Sequence, residues 1–150
     1  MNLSEHFTLE ELTASDYASR HGIDNAPSPD VLANLEILAQ GLERIREIIR
    51  QPITVTSGYR SPKVNAGIGG SRTSDHVKGL AADIKVAGIA PTVLAKIIED
   101  VDTEIRYKQL IQEFGQWVHI SFPDVDESPK LEVLTAKRID GKVVYLRGIA

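Results

Sequence analysis

The sequence contains no cysteine among its 150 residues. A disulfide framework and a thiolate metal site are therefore excluded, and any metal must be held by histidine, aspartate or glutamate. The chain also lacks a basic run, and its net charge of −4 argues against a nucleic-acid-binding module. No apolar stretch approaches the length of a membrane span, and the first residues lack the basic-then-apolar order of a signal peptide. We therefore expect no nucleic-acid partner, no membrane insertion and no export signal within the chain.

The first third of the sequence carries helix signals, and the rest carries mainly strand signals. Thr8 and Glu11 match a capping box, and Ser28 followed by Pro29 predicts the start of a helix that reaches about Arg50. Its apolar residues recur every three or four positions, as in an amphipathic helix. Predicted strands cover 53–56, 80–86, 108–113, 117–122, 131–138 and 142–146, and the last two flank the type I′ turn pair Asp140-Gly141. We predict one α+β domain over residues 1–150, with N-terminal helices packed on a small, mostly antiparallel sheet.

The connection from Ser57 to Asp83 is the stretch most indicative of function. It is rich in glycine, and a connection of this length inside a compact domain is more often functional than idle. Within it, the letters S-x-H-x-x-G-x-A-x-D run from Ser74 through His76 to Asp83. We interpret His76 and Asp83 as two ligands of a catalytic zinc, a site that needs about three protein ligands, an open position and a nearby base.

Glu113 is the candidate base, and it lies six residues before His119. Taken alone, a histidine in a strand is more often structural than a ligand, and Glu113 could equally be a surface carboxylate. A three-residue loop after Glu113 would pair it with Trp117 and place it diagonally about 7–8 Å from His119 on the same face. A two-residue turn would instead place the two side chains on opposite faces.

Three segments of the sequence, SGYRSPKVN, SRTSDHVKGLAADI and QLIQEFGQWVHISF, carry a family resemblance. They resemble the zinc D-Ala-D-Ala carboxypeptidase and Hedgehog-like superfamily, and in particular its phage and prophage peptidoglycan peptidases. The resemblance implies that zinc is bound by His76, Asp83 and His119. It also implies that Arg60 binds a substrate carboxylate or carbonyl and that Ser74 supports the same end of the site.

The sequence departs from the family pattern at two positions. Carboxypeptidases of the superfamily place a glutamate three residues before the last histidine, where this chain has Gln116, which cannot act as a base. The Hedgehog-like pattern has its glutamate six residues before, and Glu113 matches it. Relatives also often carry an aspartate where this chain has Lys108.

The resemblance implies a zinc metallopeptidase that hydrolyses stem or cross-link peptides of peptidoglycan, as a D-Ala carboxypeptidase or an endopeptidase of the endolysin type. The protein would then be made in the cytoplasm and act on the cell wall or periplasm, delivered by a holin or a virion, and we expect a monomer. The alternative is a non-catalytic zinc module that binds wall peptides or a protein partner. A third hypothesis is a metal-free structural protein with incidental histidines.

Overall fold

The computed structural model describes residues 1–150 and contains seven helices and six strands. The helices are α1 (Leu9–Thr13), α2 (Asp16–His21), α3 (Pro29–Ile49), α4 (Pro62–Gly67), α5 (Asp75–Lys78), α6 (Pro91–Asp100) and α7 (Asp102–Ile105). The strands are β1 (Thr54–Ser57), β2 (Ala81–Lys85), β3 (Gln109–Glu113), β4 (Trp117–Ser121), β5 (Glu132–Ile139) and β6 (Lys142–Arg147). None of the helices is both long enough and apolar enough to cross a membrane.

The helix starts predicted from the sequence are confirmed. The Thr8 hydroxyl accepts a hydrogen bond from the Glu11 amide at 3.1 Å, and the Ser28 hydroxyl caps α3 ahead of Pro29. Each cap satisfies an amide of the first turn that has no partner within the helix. The two four-residue helices α5 and α7 were not predicted, because one turn is too short to show a hydrophobic period.

The six strands form one sheet in the order β1-β2-β4-β3-β5-β6. Every neighbouring pair is antiparallel except β3 and β5, which run parallel. The prediction of an α+β fold with a mostly antiparallel sheet is therefore confirmed. The turn between β5 and β6 has positive φ angles of 51° at Asp140 and 77° at Gly141, as a type I′ turn requires.

The two faces of the sheet have different roles. One face is covered by the helices, and its core includes Leu38 and Leu42 of α3 with Ile84, Val118 and Ile120 of the central strands. Because side chains alternate along a strand, the residues between these core positions point to the opposite face. A cleft lies on that second face, and its lining includes Asp83, Glu113 and His119 of the central strands.

Candidate active site

The three predicted zinc ligands come together on the second face of the sheet. Asp83 on β2 and His119 on β4 are direct partners in the antiparallel pair, so their side chains share that face. His76 lies on α5, immediately before β2. The candidate ligand atoms of His76, Asp83 and His119 all lie within 4.8 Å of one another, and all three residues are buried.

The two distances from the histidines to Asp83 are close to those of a tetrahedral zinc site. His76 Nε2 lies 3.3 Å from Asp83 Oδ1, and His119 Nδ1 lies 3.2 Å from the same oxygen. With ligand-to-zinc distances of about 2.0–2.2 Å, two ligand atoms of a tetrahedral site are about 3.3–3.6 Å apart.

The hydrogen bond on the far side of the His76 ring supports the same conclusion. His76 Nδ1 lies 2.8 Å from the carbonyl oxygen of Gly58. A carbonyl can only accept, so Nδ1 carries the proton. Burial lowers the pKa of His76, which favours the neutral ring and leaves a lone pair on Nε2. That lone pair faces a carboxylate oxygen, an arrangement of two acceptors that a cation between them would satisfy.

Asp83 is ionised in this setting. Burial by itself raises the pKa of a carboxyl group, but the contact with His119 is the largest opposing effect, and the pKa of Asp83 lies below its usual range. Two neutral imidazoles and one carboxylate form the kind of set that catalytic zinc sites use. The residues present therefore fit zinc, and their role as ligands stays a prediction.

Backbone conformation fixes the position of His76. The Ser74 hydroxyl accepts the His76 amide at 3.2 Å as the N-cap of α5, and Gly79 ends the helix in a left-handed conformation with φ 79°. Gly58 supplies the carbonyl for the ring, and a Cβ atom there would lie 2.3 Å from the Leu12 carbonyl oxygen. Close approach of the α1 end to Gly58 therefore requires glycine at this position. The structure gives Ser74 a capping contact, and its proposed role towards substrate stays a prediction.

Arg60 lies beside the metal cluster and is largely buried. Its guanidinium donates to Ser57 Oγ at 3.1 Å, to Asn65 Oδ1 at 3.4 Å and to Asp83 Oδ2 at 3.3 Å. Burial lowers the pKa of Arg60 while the charges of Asp83 and Glu113 raise it, and arginine stays charged throughout. Three of the five guanidinium N–H groups are used in these bonds, which leaves two for a ligand.

Glu113 occupies the position that the three-residue loop predicts. Glu113 pairs with Trp117 across the antiparallel ladder, so it is a diagonal neighbour of His119 on the same face. The turn is held by the Gln112 side chain, whose Oε1 accepts the Gly115 amide at 2.6 Å. Burial, followed by the charge of Asp83, raises the pKa of Glu113. A carboxylate with a raised pKa is suited to accept a proton near neutral pH.

The two departures from the family pattern have different structural consequences. Gln116 lies exposed in the turn and does not line the cleft, so its side chain is not placed to act there. Lys108 is largely buried and bridges Asp75 Oδ1 at 3.1 Å and Glu127 Oε2 at 3.3 Å. Lys108 thereby joins Asp75, the first residue of α5, to the loop that contains Glu127. Its positive charge offsets the repulsion between these two carboxylates.

The three clustered residues, Arg60 and Glu113 line one cleft with a volume of about 480 Å³. Its lining includes Arg60, His76, Asp83, Glu113, His119 and Tyr145. The family model described as Peptidase M15 matches residues 5–121. The chain belongs to this family. No curated protein matches the sequence.

Membership confirms the resemblance stated from the three sequence segments. M15 peptidases are zinc-dependent metallopeptidases, and this M15 chain retains a His-Asp-His group able to hold the metal. The matched range covers every predicted zinc ligand, and it also covers Arg60 and Glu113. It ends at Ser121. Strands β5 and β6 therefore lie outside it. Sequence reasoning did not find Tyr145 or Asn65, because neither carries a motif and their places depend on contacts between distant segments.

Proposed function

We propose that this M15 peptidase hydrolyses stem peptides of peptidoglycan and releases a C-terminal residue, as a D-Ala carboxypeptidase does. One observation supports this most directly, namely that Arg60 contacts Asp83 of the metal cluster at 3.3 Å. An extended peptide advances about 3.3–3.6 Å per residue. A substrate carboxylate held by Arg60 therefore leaves room for about one residue between itself and a carbonyl at the metal cluster.

Zinc bound by His76, Asp83 and His119 would supply Lewis-acid polarisation of the carbonyl and a more acidic water. Glu113 takes the proton from the attacking water at its carboxylate and later gives it to the nitrogen of the leaving amine. The raised pKa of Glu113 suits both steps, because the group must accept and then release one proton.

Arg60 has the task of holding the substrate's terminal carboxylate. The guanidinium is planar and can pair with both oxygens of a carboxylate at once, whereas a lysine presents a single point charge. Ser57 and Asn65 fix the plane of the fork from two sides. A ligand held in one orientation reaches the transition state with less loss of entropy.

The test is digestion of purified muropeptides by the zinc-loaded protein, followed by mass spectrometry of the products. Loss of one terminal D-Ala is the expected result, and cleavage of cross-linked dimers would instead identify an endopeptidase. Variants His119→Ala and Glu113→Gln serve as controls for a contaminating peptidase. Binding of muropeptides without cleavage would favour the rival hypothesis of a wall-peptide-binding module. The expected delivery by a holin or a virion stays a prediction.

A further inference from the structure

One row of side chains crosses the cleft face of the sheet. Trp117 on β4 pairs with Glu113 on β3, Glu113 pairs with Ala136 on β5, and Ala136 pairs with Tyr145 on β6. Residues that are direct partners project to the same face of a sheet. Glu113 therefore has an aromatic neighbour in the row on each side, with only the small Ala136 between it and Tyr145.

Tyr145 belongs to the cleft although it lies on the edge strand. Its side chain lines the same cavity as Glu113 and His119, and the residue remains 55% exposed. Burial, followed by the charge of Glu113, raises the pKa of Tyr145. A large ring that is half open to solvent and faces a catalytic cleft provides a surface that a ligand can cover.

The strand order separates Tyr145 from Arg60. Arg60 follows β1 at one edge, the metal cluster lies over β2 and β4, Glu113 lies on β3, and Tyr145 lies on β6 at the other edge. A substrate whose terminal carboxylate is at Arg60 therefore has its N-terminal part on the Glu113 side of the metal cluster. That side ends at Tyr145.

We propose that Tyr145 forms the wall of a subsite for the part of the substrate peptide N-terminal to the scissile bond, and so determines a preference for longer peptides. This inference rests on the proposed function. The ring supplies the contact, since an aromatic face packs on peptide and aliphatic groups without a particular hydrogen bond. Tyr145 lies beyond the residues matched by the family model, so the subsite belongs to the C-terminal hairpin of this chain.

The spacing of the strands sets the substrate length that reaches the ring. Three strand intervals separate β4 from β6, which corresponds to about 14 Å between backbones. An extended peptide covers this distance in about four residues, and the length of the tyrosine side chain reduces the number of residues needed. A substrate with one residue before the scissile bond does not reach Tyr145, whereas a stem pentapeptide does.

The experiment compares two substrates that end in the same dipeptide, N-acetyl-D-Ala-D-Ala and a stem pentapeptide. Tyr145→Ala should lower kcat/KM for the pentapeptide about 3- to 10-fold, the range of a lost aromatic contact, and leave the dipeptide unchanged. Tyr145→Phe should stay near the wild type, because it keeps the ring. The matched control is Val143→Ala, which lies on the same strand and face but does not line the cleft. An equal effect of Tyr145→Ala on both substrates would overturn the inference.

A binding measurement separates this inference from the proposed function. Trp117 is the single tryptophan of the chain and lines the cleft, so its fluorescence reports occupancy. In the zinc-loaded Glu113→Gln background, Tyr145→Ala should weaken pentapeptide binding by the same factor. Should the wild type cleave neither peptide, the proposed hydrolysis fails, yet weaker pentapeptide binding by Tyr145→Ala would still support the subsite. Unchanged binding, or no binding at all, would overturn the subsite.

Discussion

Replacing Glu113 by glutamine should have two opposite effects, a large loss of hydrolysis and a gain in the stability of the metal-free fold. Glutamine keeps the size of the side chain but cannot accept the proton. A positioned general base contributes about 10²–10⁴-fold to the rate. At about 1.4 kcal/mol per factor of ten, this loss corresponds to about 2.7–5.4 kcal/mol of transition-state stabilisation. Zinc content should stay unchanged, because Glu113 is not among the three clustered ligands.

The gain in stability follows from the surroundings of the Glu113 carboxylate. Burial and the neighbouring charge of Asp83 raise the pKa of Glu113 in the folded protein above its usual value of 4.5. The folded state therefore binds the proton more tightly than the unfolded state does. The tighter proton binding stabilises the folded state fully at pH values below the pKa of Glu113 in the unfolded chain. This stabilisation is lost as the pH rises through the pKa of Glu113 in the folded protein. At pH 7 the wild type carries an unfavourable charge that Glu113→Gln removes.

The assay is thermal denaturation followed by circular dichroism, with a chelator present so that metal binding does not contribute. Glu113→Gln should melt at a higher temperature than the wild type at pH 7. The difference should shrink as the pH falls towards about 4, where the wild-type carboxyl group becomes neutral. Gln116→Ala is the control, and neither activity nor stability should change much because Gln116 is exposed outside the cleft. Full activity of Glu113→Gln would refute its role as the base, and equal melting temperatures at pH 7 would refute the electrostatic argument.

Three further predictions concern the metal and the substrate clamp. Elemental analysis should find one zinc per chain. Replacing any one of the ligands His76, Asp83 or His119 by alanine should remove most of this zinc. Arg60→Lys should keep zinc but lower kcat/KM about 10- to 100-fold, because one charged hydrogen bond contributes about 1.5–3 kcal/mol; unchanged kinetics would argue for a structural arginine. Gly58→Ala should displace the carbonyl that orients His76 and weaken zinc affinity about 10- to 100-fold in a chelator competition, with wild-type affinity as the contrary result.

Local sequence signals predicted the parts of the site that depend on short-range structure. The loop of Phe114, Gly115 and Gln116 sets the pairing of Glu113 with Trp117, so the position of Glu113 relative to His119 follows from a single turn. Ser28 with Pro29 and Asp140 with Gly141 likewise determine an element boundary from adjacent residues. Such features can be predicted because their energy comes from neighbours in the chain.

The features that were not predicted depend on contacts between distant segments. The parallel pairing of β3 with β5 results from how the chain returns after β4, and no local pattern specifies it. Tyr145 reaches the Glu113 row only through that pairing. The contact of Arg60 with Asp83 spans 23 residues and depends on the buried Asn65, whose amide also donates to the Ser71 carbonyl at 2.8 Å.

The order of the strands also suggests how substrate range could change without loss of chemistry. The three strands that carry Asp83, His119 and Glu113 each have a hydrogen-bonded neighbour on both sides, so a change in one disturbs two others. Strands β1 and β6 are bonded on one side only, and the groups proposed to bind substrate lie on or next to them. Insertions and substitutions near residues 66–72 and 142–147 can therefore alter recognition while the central machinery stays intact. Libraries designed to obtain activity on new peptide substrates should therefore vary residues in these two segments.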